Sequence, residues 1–147
     1  MSIFSTLEIS GSAMGAERQR AEVVAANMAN AETTHTPGGG PYRRKEVVFA
    51  SSGTLPFRMM LADFQPSLRN AVPAVRVQKV VDDPTPPLMR YEPGHPDANK
   101  DGYVAYPAIN PIQEMVDLMG AVRSYQLNAS AVAATKQMIQ QAMDLLK

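Results

Sequence analysis

Residues 112–147 read IQEMVDLMGAVRSYQLNASAVAATKQMIQQAMDLLK, with no proline and a single glycine, Gly120. Within them Met115, Leu118, Val122, Tyr125, Ala129, Val132, Ile139, Met143 and Leu146 recur at alternating steps of three and four residues. Lys136 fills the one slot where an apolar residue is missing. This is an a/d heptad seam, the pattern of a helix lying along other helices. At 1.5 Å per residue such a helix is roughly 54 Å long, longer than a compact domain of this size is wide. A stripe of that length needs partners beyond its own domain, or a matching helix elsewhere in the chain. Asn110 is placed to cap it, and Pro111 suits its first position.

The matching helix lies at the other end. From Met1 to about Glu32 there is no proline. Ile3, Leu7, Ser10, Met14, Glu17, Ala21, Val24, Met28 and Ala31 follow the same spacing. Two of those slots are polar, so the seam is weaker. Gly11, Ala13, Gly15, Ala16, Ala21, Ala25, Ala26 and Ala29 crowd the segment. Small side chains permit close helix–helix approach but bury little area each. Its two interior glycines each cost about 1 kcal/mol relative to alanine. The helix is therefore expected to be marginal alone and formed by packing.

Between the helical ends the chain reads as a small β-rich unit, residues 42–108. Short strands are expected at Glu46–Phe49, Val75–Val80, Leu88–Tyr91 and Gly102–Tyr106, separated by proline- and glycine-bearing turns. Leu55–Phe64 is ambiguous between strand and helix, and Gln65–Pro73 reads as a loop. The fold class is α+β: long N- and C-terminal helices pairing as a coiled-coil-like layer, with a small β-rich middle domain. The expected divisions are 1–35, a bend at 36–41, 42–108 and 109–147.

Composition excludes several functions. Lys plus Arg and Asp plus Glu number 14 each, so no net charge favours nucleic acid or an anionic membrane. There is no cysteine, which excludes disulfides and thiolate metal sites. No apolar run approaches the roughly 20 residues that span a bilayer. The N-terminus lacks the basic and apolar regions of an ordinary secretion signal.

The candidate chemical motifs are weak. Pro37-Gly38-Gly39-Gly40-Pro41 reads as a bend, because a phosphate-cradling loop needs a following Lys-Ser/Thr and a flanking strand and helix. Arg43-Arg44-Lys45 reads as a solvated strand face rather than a phosphate contact. Asp97, Asn99, Asp101 and Gly102 match the first half of a calcium loop. The twelfth position, where a bidentate Glu belongs, is Ala108, so a plain turn is expected. His35 and His95 have no metal-ligand spacing, and no nucleophile-elbow motif supports a hydrolase. Asn128-Ala129-Ser130 is a glycosylation sequon by pattern alone, inside an expected helix. Neither an active site nor a cofactor is expected.

Ala26-Asn27-Met28-Ala29-Asn30-Ala31-Glu32-Thr33-Thr34, followed by the Pro-Gly turn and Tyr42-Arg43-Arg44-Lys45, resembles the N-terminal signature of bacterial flagellar rod and hook proteins. Gly38 to Phe49, Tyr91 to Ala98, Asp101 to Pro107, Asn110-Pro111, Glu114-Met115-Val116 and Arg123-Ser124-Tyr125-Gln126 resemble the proximal rod proteins of that family. The likeness spans nearly the whole chain and is weak in 51–73, which looks like a variable insertion. Met28 stands where the family often has Leu.

The resemblance implies an axial structural subunit without enzymatic activity or cofactor. Its terminal helices would form an inner layer of a helical tube and its middle an outer layer. It implies export by the flagellar type III apparatus without a cleaved signal, and residence in the periplasmic rod of the basal body. Implied partners are other copies of itself, other proximal rod proteins, the rod–export-gate adaptor and the distal rod protein. Nucleic acid and a direct membrane span are not implied. Ile3, Leu7, Met14, Val24, Asn27, Met28, Asn30, Met115, Leu118, Val122, Tyr125, Val132, Ile139, Met143 and Leu146 become candidates for subunit packing. Pro37, Gly38, Gly39, Gly40 and Pro41 become the bend between layers. A soluble coiled-coil adaptor or a type III secreted protein shares the two seams, but gives no reason for the Ala-Asn-x-Ala-Asn-Ala block.

Overall fold

The computed structural model describes residues 3–51 and 74–145. The expected elements within 55–73, and Leu146 of the C-terminal seam, lie outside them. The order is α1 (Ile3–Ala29), β1 (Lys45–Ser51), β2 (Val75–Asp82), β3 (Leu88–Tyr91), β4 (Tyr103–Tyr106) and α2 (Pro111–Asp144). This is the α+β class, two long helices with a small β region between them. The strands form two two-stranded sheets, β1 with β2 and β3 with β4.

Local chemistry sets the helix ends. Asn110 caps α2: its Oδ1 accepts from the Ile112 N–H at 3.0 Å, and its carbonyl takes the Glu114 N–H at 3.1 Å. Pro111 fills the first helical position, where a missing N–H costs nothing. α1 stops at Ala29, short of the expected Glu32. The Asn30 N–H is shared between the Ala26 and Asn27 carbonyls, and Asn30 Nδ2 also donates to the Ala26 carbonyl at 2.9 Å. These bonds and Thr33 N–H to Asn30 O convert the last turn into tight turns.

The described chain divides into two compact units, each drawing on both helices. One comprises the described residues of Met1–Arg18, Phe49–Gln78 and Val122–Lys147; the other comprises Gln19–Val48 and Lys79–Ala121. The first buries small and hydroxyl side chains: Ser10, Ala16 and Thr135. Thr135 Oγ1 donates back to the Ala131 carbonyl at 2.8 Å, so its hydroxyl is satisfied within the helix. Ser12 Oγ accepts from the Val75 N–H at 3.1 Å and holds the start of β2.

The second unit has Val24, Val104, Tyr106, Ile109 and Ala121 as its apolar core. Its β3–β4 ladder is antiparallel, with Leu88 opposite Tyr106 and Tyr91 opposite Tyr103. Tyr91 and Tyr103 meet edge to face at 5.3 Å, a stabilising cross-strand aromatic pair. The turn before β4 is made by Asn99, whose Oδ1 accepts the N–H of Asp101 and of Tyr103, and by Gly102 at φ 79°. A Cβ at Gly102 would stand 2.8 Å from the Tyr91 ring.

The glycine stretch is a closed loop rather than a slack linker. Thr36 N–H donates to the Gly40 carbonyl at 2.9 Å, Gly39 N–H to the Thr36 carbonyl at 2.8 Å, and Tyr42 N–H to the Thr33 carbonyl at 3.0 Å. Gly39 and Gly40 have φ of 85° and 75°, a region other residues adopt at a cost, whereas Gly38 does not. Gly39→Ala or Gly40→Ala is expected to cost about 1–2 kcal/mol. Gly38→Ala should stay within a few tenths of a kcal/mol of the parent or gain slightly through the unfolded state. Urea unfolding of the three variants checks the ordering, and equal effects at all three positions would contradict this account of the loop.

Candidate functional site

The most constrained residue cluster lies in the second unit, on α1, β1 and α2. Asn27, near the end of α1, is 0% exposed. Its Nδ2 donates to the Lys45 carbonyl at 2.9 Å and to Glu114 Oε2 at 3.0 Å. Its Oδ1 accepts from the Lys45 N–H at 2.9 Å and from the Tyr42 hydroxyl at 3.1 Å. All four hydrogen-bonding positions of the amide are therefore used. The amide fastens to both backbone groups of Lys45 as a neighbouring strand would, and so fixes where β1 begins.

Glu114, one turn into α2, is 1% exposed. Its second oxygen accepts from Arg44 Nε at 2.6 Å. Arg44 also pairs with Glu46, with Asp83 Oδ2 at 3.8 Å and with Asp117 Oδ2 at 3.7 Å. Asp117 in turn lies 3.5 Å from Arg20 Nη2. Burial pulls the Arg44 pKa down, but the hydrogen bond and charge of Glu114, helped by Glu46, outweigh it and leave the guanidinium above its ordinary value. Tyr42 is likewise pushed above the usual phenol value, first by burial and then by the charges of Asp82 and Glu114. It stands as a neutral donor at pH 7. Along α1 the contacts run Arg20 then Asn27, and along α2 Asp117 then Glu114, the order of an antiparallel pair.

The basic triplet thus splits. Arg43 and Lys45 are exposed, as expected of a solvated strand face, but Arg44 is held among carboxylates. The composition of the triplet does not distinguish them; the buried carboxylate that Arg44 meets, Glu114, comes from α2, far away in sequence. Glu114 was the residue most easily missed, because a lone Glu in an apolar helix reads as a surface charge. Tyr42 figured only within the block that resembles the family signature, with no contact assigned to it. The signal that would have found them is their joint presence in the blocks quoted above.

The other motifs find ordinary roles. Asp97 Oδ2 accepts from Thr34 Oγ1 at 2.6 Å, and the Asn99 side chain is spent on its own turn. Among the described residues no cluster of three or more His, Cys, Asp or Glu could hold a metal. No described helix is long and apolar enough to cross a membrane.

The packing candidates fall into two groups. Val24 and Asn27 are buried; Leu7, Met14, Met28, Asn30, Leu118, Val132 and Ile139 are half-buried. Ile3, Met115, Val122, Tyr125 and Met143 remain exposed. On α2 the residues covered by the chain itself include Glu114, Ala121 and Thr135, each one position before the Met115, Val122 and Lys136 slots of the apolar seam. The stripe Ile112, Met115, Val116 and Met119 is 76%, 48%, 56% and 62% exposed. Of these four only Met115 was named from the heptad pattern; the i, i+3, i+4, i+7 spacing of all four carried the signal. Pro37, Gly38, Gly39 and Gly40 are exposed and Pro41 is half-buried.

Comparison with known proteins shows what class this arrangement belongs to. Residues 7–34 match the family described as flagella basal body rod protein, and residues 100–145 match the flagellar basal body rod FlgEFG protein C-terminal family. The first match contains Asn27 and the second Glu114. The chain is 39% identical over 151 residues to the flagellar basal-body rod protein FlgC of Bacillus subtilis, covering 100% of both. It is 35% identical over 153 residues to that of Borreliella burgdorferi, covering 100% of this chain and 99% of the relative. With that of Salmonella typhimurium it shares 36% over 145 residues, 99% of this chain and 98% of the relative. The chain belongs to the FlgC family of flagellar basal-body rod proteins and is a structural subunit of the proximal rod.

Asn27→Asp puts a second carboxylate against Glu114, and is expected to cost about 3–5 kcal/mol as an uncompensated buried charge. Tyr42→Phe loses one hydrogen bond while Asn27 Oδ1 keeps the Lys45 N–H, and is expected to cost about 1 kcal/mol. Denaturant unfolding at pH 7 measures both. An Asn27→Asp loss no greater than that of Tyr42→Phe would show that the amide is not committed as a donor to Glu114.

Proposed function

We propose that this chain transmits torque by packing its two helices, through interdigitated apolar contacts, into the axial layer of the periplasmic rod. The observation that carries the reading is the outward stripe of α2. Ile112, Met115, Val116 and Met119 are exposed on a helix whose other side already packs within the chain, so α2 keeps an uncovered apolar face. A contiguous exposed apolar patch of that kind marks a protein–protein contact surface. Contacts repeated along a helical lattice are heterologous and continue until a different protein caps them. The neighbours would be further copies of this chain, other proximal rod proteins, the rod–export-gate adaptor and the distal rod protein.

In the same reading Ile3, Leu7, Met14, Met28, Val122, Tyr125, Val132, Ile139, Met143 and Leu146 contribute to subunit packing. The 36–41 loop turns the chain from the inner layer to an outer, β-rich one. The chain would leave the cytoplasm through the flagellar export apparatus without a cleaved signal, and carry no catalytic role. The adaptor alternative shares the two seams; the full-length match to rod proteins favours the rod.

Val116→Asp places a charge on an exposed site, where its effect on the stability of the free chain should stay within about 0.5 kcal/mol. It is expected to prevent recovery of the protein in purified basal bodies and to abolish motility. Normal incorporation of a folded Val116→Asp protein would show that the stripe is not an assembly surface.

A further inference from the structure

Between Pro111 and Ala121, α2 is turned against its own hydrophobic preference. The residues it packs inward are Glu114, Asp117, Leu118 and Ala121, all buried or half-buried. The residues it turns outward are Ile112, Met115, Val116 and Met119. At 100° per residue the two sets occupy roughly opposite faces. The outward set is the larger and the more apolar. Burial of apolar area alone would therefore favour the opposite rotation, with the stripe inside and the two carboxylates in water.

Specific contacts of the two carboxylates oppose that rotation. Glu114 is held by Arg44 Nε at 2.6 Å and by Asn27 Nδ2 at 3.0 Å. Asp117 lies between Arg20 and Arg44. Arg44 cannot follow α2 round, because its backbone is anchored beside β2: its carbonyl accepts the Asp83 N–H at 2.7 Å. Asn27 is equally fixed by its two bonds to the Lys45 backbone. A buried ion pair is a poor source of net stability, since desolvation cancels much of its attraction. It is a good source of specificity, because only one rotation of the helix satisfies it.

We infer that Arg44, with Asn27, is the positioning element that sets the rotation of α2 and keeps its apolar stripe turned out for neighbouring subunits. This rests on the stripe being the assembly surface, as proposed above. Arg44 itself touches no partner in this scheme; it acts through Glu114 and Asp117.

The lack of cysteine in the chain makes the test direct. A reporter, Val116→Cys, is labelled with a maleimide in the dilute, purified protein, and should react freely. Adding Arg44→Met strands Glu114 without its cation, and α2 should turn so that Glu114 reaches water. The reporter should then react about tenfold more slowly or less, while circular dichroism still shows the helices. Glu114→Gln, tested beside it, keeps the carboxylate's shape without a buried charge and loses one acceptor for the lock, so it should slow labelling to an intermediate rate.

If both variants keep the reporter fully reactive and only lose stability, the cluster is a structural brace and the inference is overturned. If Arg44→Met unfolds the chain while Glu114→Gln labels like the parent, it is overturned as well. Arg44→Met without the reporter is then scored for recovery in basal bodies. Loss of incorporation together with protection of position 116 supports both readings. Protection with normal incorporation leaves the lock standing, and removes the stripe as the assembly surface.

Discussion

The second unit depends on one amide. Asn27 reaches the N–H and carbonyl of Lys45, the hydroxyl of Tyr42 and the carboxylate of Glu114 from a site closed to water. In a low-dielectric interior each of those groups would be costly to leave unpaired. Asn is the side chain that offers two donors and a two-fold acceptor at this reach; Asp lacks the donors and Gln places them a methylene further out. Three sequence-distant segments are joined there: the end of α1, the start of β1 and the first turns of α2. Arg44 and Glu114 extend the same network as charge-assisted bonds, which are stronger and more directional than neutral ones.

This network explains the signature carried by the sequence. In Ala26-Asn27-Met28-Ala29-Asn30-Ala31, the first Asn builds the cluster and the second ends the helix by bonding the Ala26 carbonyl. Thr33 and Tyr42 then close the glycine loop backbone to backbone, which delivers Tyr42 to Asn27 and Arg44 to Glu114. Three glycines between prolines read as a bend in the sequence. The two positive φ values there mark a conformation that only glycine adopts cheaply.

The legible part of the fold was the part set by local chemistry. The β3 limits, the Asn110 cap with Pro111, and the turn before β4 all follow from residues within a few positions of each other. The rotation of α2 was not legible. The apolar residues mark a seam through Met115 and Val122, whereas the side that the chain buries runs through Glu114 and Ala121. Periodicity marks the apolar face, not the partner that covers it. Here the choice is made by Arg44 and Asn27, whose partners lie 70 and 87 residues away along the chain. Pairing at that distance leaves no periodic trace.

The same feature separates this chain from an ordinary small domain. A self-sufficient domain of this length covers its large apolar side chains and leaves charges outside. This one spends buried volume on a carboxylate, an amide, two hydroxyl residues and alanines, while large apolar residues of α2, among them Ile112, Met115, Val116 and Met119, face outward. Small buried residues let helices approach closely but bring little hydrophobic gain within the chain. The gain available from the uncovered stripe is realised only when another surface removes it from water. With 14 positive and 14 negative residues, the chain carries no formal net charge to oppose such a contact. On the proposed assembly reading, apolar burial that a self-sufficient domain completes within one chain is completed here between chains.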